Sequence, residues 1–224
     1  MSAVFCGRRI AGDFYDAVRV SPQRVLFALL DVAGRREDTR AILVSAQKIF
    51  RTVGCELFAP SDLNESLVMT ELCHLMNRGI MDAAAGVHSC PAFLGCYNEE
   101  LGTLCYTNAG HTPGLVRAGT GILELASTGL PLGLFSHSTC DGPTIALEKE
   151  SILLLVSRGV IEAEGNGTSA EDIEFGIQTI KDRLRNVARG DPQSICTAIL
   201  HPKGPGIEPS CGDDRTALAF FRVS

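Results

Sequence analysis

Acidic residues stand at the ends of three apolar runs in this chain, and an arginine stands at the end of a fourth. The acidic sites are Gly12-Asp13-Phe14-Tyr15-Asp16, Leu30-Asp31-Val32-Ala33-Gly34 and Gly212-Asp213-Asp214. The fourth run, Ile152-Leu153-Leu154-Leu155-Val156-Ser157, continues into Arg158-Gly159. Carboxylates gathered by folding repel one another unless a cation lies between them. Oxygen donors of this kind suit a hard divalent ion. An arginine delivered to the same place changes what it can hold, because a guanidinium keeps its proton and offers a metal no lone pair.

Each acidic residue also has a plainer use. Asp31, at the exit of Val25-Leu26-Phe27-Ala28-Leu29-Leu30, is equally suited to a turn or a cap. Asp13 and Asp16 flank a Phe-Tyr pair and are read as able to face one side, with one of them simply solvated. In the adjacent pair Asp213-Asp214, successive strand side chains point to opposite faces, so one can enter a site while the other supports a turn. Asn108-Ala109-Gly110-His111-Thr112-Pro113 holds the best-placed histidine, and turn chemistry at a strand exit is the favoured account of it. No phosphate-cradling glycine loop, dinucleotide fingerprint or Gly-x-Ser-x-Gly elbow is present.

Composition sets further bounds. The chain has 224 residues, 45% of them hydrophobic and 21% charged, which is ordinary for a globular protein. A net charge of −6, without any Lys or Arg run, argues against a nucleic-acid partner. Nine cysteines include no C-x-x-C pair, and several lie in apolar runs, so they are expected as reduced thiols. With no apolar leader and no membrane-length run, the expectation is a cytoplasmic protein and a single domain over 1–224.

The elements that must position these residues follow from periodicity. Extended stretches are expected around Asp13–Val20 and Arg24–Val32, the second buried on both faces. Ile42, Ala46, Ile49, Phe50 and Val53 then fall at helical spacing, with Gly54 as a stop. A second helix is expected to open with Asp62 as N-cap and Glu65 three residues on. Leu63, Leu67, Leu72, Leu75 and Met76 would form its inner stripe. Short strands fill 91–157, a helix capped by Thr168 or Ser169 and another after Pro192 follow, and Thr216–Val223 closes the chain. Two antiparallel sheets with helical pairs account for this order.

Five motifs in register resemble those of the SpoIIE-type (RsbU-like) branch of the PP2C, or PPM, metal-dependent serine/threonine phosphatases. Ile10-Ala11-Gly12-Asp13-Phe14-Tyr15-Asp16 is similar to V-G-G-D-F-Y-D, and Asp31-Val32-Ala33-Gly34 to D-V-S-G. Tyr106-Thr107-Asn108-Ala109-Gly110-His111-Thr112-Pro113 is similar to Y-x-N-A-G-H-x-P, Gly129-Leu130-Pro131-Leu132-Gly133 to G-x-P-L-G, and Gly212-Asp213-Asp214-Arg215-Thr216 to the terminal D-D-x-T.

The resemblance implies an α/β fold, a PP2C-like sandwich of two antiparallel β-sheets flanked by helical pairs, with an Mn²⁺ or Mg²⁺ site. Asp13 and Asp31 would be catalytic. The metal ligands would be Asp13, Asp31 (bridging two ions), the Val32 carbonyl and Asp213 (on the second ion). The reaction would be hydrolysis of a phosphoserine or phosphothreonine ester by metal-activated water. The implied substrate is a phosphorylated regulatory protein of the STAS-domain anti-anti-sigma type, and such domains often follow a sensor. No membrane partner is implied.

Three departures bear on that expectation. Ser157-Arg158-Gly159, ahead of Val160-Ile161-Glu162-Ala163, replaces T-D-G, whose aspartate holds the second metal. One ion is therefore expected firmly at most. The Arg158 guanidinium would pair with Asp31 or Asp213 and fill the cation's place, or Asp214 or Glu162 would supply a substitute ligand. Gly34-Arg35-Arg36-Glu37-Asp38 alters the rim that follows D-V-x-G. The first motif begins only ten residues in, so the leading segment is short or the chain was cut from a longer protein. The alternative to a phosphatase is a pseudophosphatase that docks a partner with little or no turnover.

Overall fold

The β3 strand, Arg24–Asp31, explains the first half of the fold, because its run from Leu26 to Leu30 is fully buried on both faces as its apolar continuity predicts. The computed structural model describes residues 2–6, 12–32, 34, 36–84, 86–137, 139–188, 190–201 and 214–223. The chain divides into two compact units, one of residues 12–111 and 126–147, the other of 1–11, 112–125 and 148–224.

In the first unit, β2 (Asp13–Arg19), β3, β4 (Ala92–Asn98), β5 (Thr103–Ala109) and β8 (Thr144–Ala146) form an antiparallel sheet in the order β2-β3-β4-β5-β8. Leu26, Ala28 and Leu30 of β3 pack with Ile42, Ala46 and Phe50, and with Leu72, Met76 and Ile80. Those residues come from α1 (Arg36–Ile49), a π-helical turn (Phe50–Gly54) and α3 (Glu65–Ala83), with the short α2 (Cys55–Phe58) between. Gly54 does not stop the helix. Its dihedrals are helical (φ −59°, ψ −44°), and a Cβ there would stand 2.8 Å from Leu26 Cδ2, so this glycine permits close helix–sheet packing.

The start of α3 also differs from expectation. Asn64, not Asp62, is the N-cap, its Oδ1 accepting from the N–H groups of Ser66 and Leu67. Glu65 is drawn instead into a buried pair with Arg24 Nε at 2.7 Å, and Asn98 Nδ2 donates to the same oxygen. The later start rotates the stripe to Met69, Leu72, Cys73, Met76 and Ile80, and Leu67 becomes exposed. Cys73 and Cys140 are joined as a disulfide, which differs from the all-thiol expectation. Residues 67 apart in sequence meet where α3 covers the segment before β8. Cys55, Cys90, Cys96, Cys105 and Cys196 are thiols outside any disulfide, as expected.

In the second unit, β1 (Ser2–Cys6), β10 (Arg215–Phe221), β9 (Ile152–Val156), β6 (Gly114–Ala118) and β7 (Gly121–Leu125) form an antiparallel sheet in the order β1-β10-β9-β6-β7. The helices α4 (Arg158–Gly165), α5 (Ala170–Asn186) and α6 (Pro192–Leu200) contribute Val160, Ile161, Ile180, Leu184, Ile195 and Ile199 to its core. Ser169 caps α5 through a full capping box, as expected. Two elements, β1 and α4, were not predicted. Among the described residues no helix is long and apolar enough to cross a membrane.

Candidate functional site

Asp13 and Asp31 are direct partners in the β2–β3 register. The Val32 N–H donates to the Gly12 carbonyl at 2.9 Å, which makes 12/32 a hydrogen-bonded pair. The 13/31 pair is then of the non-hydrogen-bonded kind, whose Cα atoms lie about 4.5 Å apart with side chains close on one face. On the other edge of β3, the Asp31 N–H donates to the Pro91 carbonyl at 2.9 Å, which fixes the strand end from the β4 side. Both carboxylates are half-buried, and Val32 is buried. Like charges directly opposite are unfavourable in a sheet. Two carboxylates and a neighbouring backbone carbonyl are the donors a hard divalent ion takes, so these residues fit Mn²⁺ or Mg²⁺.

The nearby sulfur does not compete. Burial, and then the negative charge of Asp31, push the Cys90 thiol up to about 12, so it stays protonated and is a poor ligand at neutral pH.

Asp16 takes no part in this face. With a side-chain period of two, residues 13 and 16 point to opposite sides, contrary to the expectation that both can face one side. Asp16 is buried and accepts from Arg51 Nε at 2.5 Å and Nη2 at 2.9 Å, and from the Ala17 N–H. Its task is to tie β2 to the π-helical turn.

The corner carrying Arg158 belongs to the other unit. Ser157 lies between β9 and α4, and its carbonyl accepts the Val160 N–H as the first bond of the helix. That carbonyl is therefore spent, and the next rung of the β9–β10 ladder is completed by the side chain. Ser157 Oγ accepts from the Thr216 N–H at 2.9 Å and donates to the Asp214 carbonyl at 3.4 Å. The Ser157 N–H donates to the Thr216 carbonyl, and Thr112 Oγ1 donates to the Val156 carbonyl. Two hydroxyls thus secure the end of β9.

From this corner Arg158 extends along α4, and its Nε donates to Glu162 Oε1 at 2.5 Å. The sequence reading paired Arg158 with Asp31 or Asp213. Among the described residues Glu162, one helical turn on, is one partner of Arg158, a pairing that requires the helix α4, which the sequence reading does not include. A cation at a helix N-terminus opposes the macrodipole, and Glu162 offsets it. Asp214 is half-buried at the start of β10, and Asp213 lies outside the described residues. Among the described residues, no group of three or more His, Cys, Asp or Glu is placed to hold a metal ion.

The remaining motifs shape loops. Asn108 Oδ1 accepts from the His111 N–H at 2.8 Å, and its carbonyl accepts from Thr128 and Gly129. Gly110, at φ +68°, leaves room for the Pro131 ring, 2.5 Å from where a Cβ would stand. The N-A-G-H turn and the G-x-P-L-G turn are therefore fitted to each other.

The family model for stage II sporulation protein E (SpoIIE) matches residues 21–222. The chain belongs to the SpoIIE family. It is 22% identical over 195 residues to phosphoserine phosphatase RsbP of Bacillus subtilis (strain 168), a match covering 87% of this chain and 45% of RsbP. Its fold is similar to that of the RsbU and RsbW domains of Rv1364c from Mycobacterium tuberculosis, with TM-score 0.78 and 20% identity, covering 99% of this chain and 61% of that one. The PP2C phosphatase domain of SpoIIE from Bacillus subtilis, solved with a fragment of its regulatory domain, gives TM-score 0.77 and 15% identity, covering 99% of this chain and 62% of that one. The fold of this SpoIIE-family chain is accordingly PP2C-like, as its motifs predict. The chain spans less than half the length of the curated relatives it matches.

Proposed function

We propose that this chain acts as one PP2C-like domain, a metal-dependent protein serine/threonine phosphatase that retains one firm cation position. The observation that carries the proposal is the opposition of Asp13 and Asp31 across β2–β3, with the Val32 carbonyl beside them. A divalent ion bound by these donors would supply an activated water and screen the phosphoryl oxygens. The chain's own residues hold that ion: Asp13 and Asp31 provide the charge, while Val32 contributes a neutral donor. Family resemblance assigns Asp213 and position 158 to a second ion, and Arg158 cannot serve there.

The substrate class is a phosphoserine- or phosphothreonine-bearing regulatory protein, of which an anti-anti-sigma factor of the STAS type is the leading candidate. The phosphoserine phosphatase name of RsbP supports the chemistry, and the pairing of RsbU with RsbW domains in Rv1364c supports a regulatory context. A second reading, a pseudophosphatase that binds such a partner with little turnover, is favoured by the Arg158–Glu162 pair.

Hydrolysis of a phosphoserine peptide with manganese, measured for the unsubstituted chain, Asp31→Asn and Arg158→Asp, separates them. The phosphatase reading expects slow turnover that Asp31→Asn abolishes and Arg158→Asp raises. No turnover in the unsubstituted chain, with retained binding of the phosphoprotein, would favour the docking module.

A further inference from the structure

We propose that Gly12 is a positioning residue for the cation held by Asp13, Asp31 and Val32, an inference that rests on the assignment of those donors above. The Val32 N–H bonds to the Gly12 carbonyl at 2.9 Å and draws the two backbones together. The Val32 carbonyl lies over Gly12 in turn, so that a Cβ there would stand 2.5 Å from the carbonyl oxygen and 3.5 Å from its carbon. Real Cβ atoms do not approach so closely, and both neighbours are backbone atoms that no rotamer change can move aside.

The requirement at Gly12 is for space alone. Its φ lies outside the left-handed region, unlike those of Gly34 and Gly110, so alanine fits the backbone there and is excluded only by contact. How the contact is relieved decides the consequence. Gly12 immediately precedes Asp13, and Val32 immediately follows Asp31. Among the described strands β2 lies at the edge of its sheet, paired with β3, so one way to relieve the contact is for its first residues to move away from β3. If they do, Asp13 leaves Asp31. If the Val32 carbonyl turns aside instead, the neutral donor is lost. Neither movement keeps all three donors together.

Manganese titration calorimetry on the chain, Gly12→Ala and Asp31→Asn, with amide hydrogen exchange on each metal-free protein, tests this. Gly12→Ala should weaken manganese ~10–100-fold, the usual cost of losing support behind a metal ligand. The Val32 N–H should exchange faster while the amides of Leu26–Leu30 stay protected. A Gly12→Ala protein that binds manganese as tightly as the unsubstituted chain overturns the proposal. So does one in which the whole of β3 exchanges rapidly, since Gly12 would then serve folding and not the donors. Asp31→Asn should abolish binding. If it does not, the donor assignment itself fails, and the proposal with it.

Discussion

Arg158 and Glu162 form an ion pair within α4, Nε to Oε1 at 2.5 Å, and the two ends of that pair differ in environment. The Arg158 side chain is 59% exposed, whereas that of Glu162 is only 9% exposed. The carboxylate depends on this guanidinium more than the guanidinium depends on it. The arginine is therefore a counter-ion built into the first turn of α4, at the position where the T-D-G motif of the resemblance has aspartate.

Arg158→Asp should be close to neutral in the absence of metal. It exchanges an attractive i,i+4 pair for a repulsive one, a loss of about 0.5–1 kcal/mol. An aspartate at the N-terminus of α4 suits the helix dipole and offsets about 0.3–1 kcal/mol of it. For a chain of this size the net change in Tm should stay below about 2 °C. Manganese should raise the Tm of the variant more than that of the unsubstituted chain. Equal shifts would place position 158 outside any cation site.

Ser157→Ala removes the hydroxyl that completes the ladder to β10. The buried Thr216 N–H would lose its acceptor, at a cost of about 1–3 kcal/mol in urea unfolding. Ser157→Thr keeps the hydroxyl and should recover most of the loss. Faster hydrogen exchange at Thr216 in Ser157→Ala, without change in the first unit, locates the effect at this corner.

The Arg24–Glu65 pair is buried at both ends, and Arg24 also donates to the carbonyls of Pro60 and Ser61. Glu65→Ala should cost about 3 kcal/mol, near the low end for an unpaired buried charge, because those carbonyls remain. A denaturant series that finds less than half this value would mean that water reaches the guanidinium.

Alkaline pH should weaken the fold through its buried thiols. Burial and Asp31 hold Cys90 up at about 12, and burial, outweighing a hydrogen bond from Thr144, holds Cys105 up at about 11, from an ordinary 9.0. Both stay protonated in the folded chain while their unfolded counterparts ionise. Stability is therefore intact below pH 9 and falls from pH 9 towards 11–12, by up to about 1.4 kcal/mol per pH unit for each thiol. Cys90→Ala should flatten that decline relative to its own value at pH 8, as measured by unfolding between pH 8 and 11. An unchanged slope would show that the thiol is reached by solvent.

Much of the fold was legible because its strands are apolar runs of strand length. Leu26–Leu30 and Ile152–Val156 declare burial by continuity, and their ends place Asp31 and Ser157. The opposition of Asp13 and Asp31 needed the register, which lies in the pairing of distant backbone groups and leaves no local mark. Asp16, three residues from Asp13 in one strand, faces the other side by the two-residue period, and its pairing with Arg51 is visible only in the fold. The eight-residue α4 leaves little mark in the sequence, because Gly159 and a short apolar stretch carry little helical signal, and without the helix Glu162 is not evident as a partner of Arg158. Gly12 looked like one motif letter among several, and only the approach of the Val32 carbonyl shows what its missing side chain is for.

The central claim is that Asp13, Asp31 and Val32 hold one divalent ion while Arg158 replaces the means of holding a second. Manganese stoichiometry by calorimetry, on the unsubstituted chain and on Asp31→Asn, tests it most directly. One ion per unsubstituted chain and none in Asp31→Asn is the predicted result. Two tightly bound ions in the unsubstituted chain, or undiminished binding in Asp31→Asn, would contradict it.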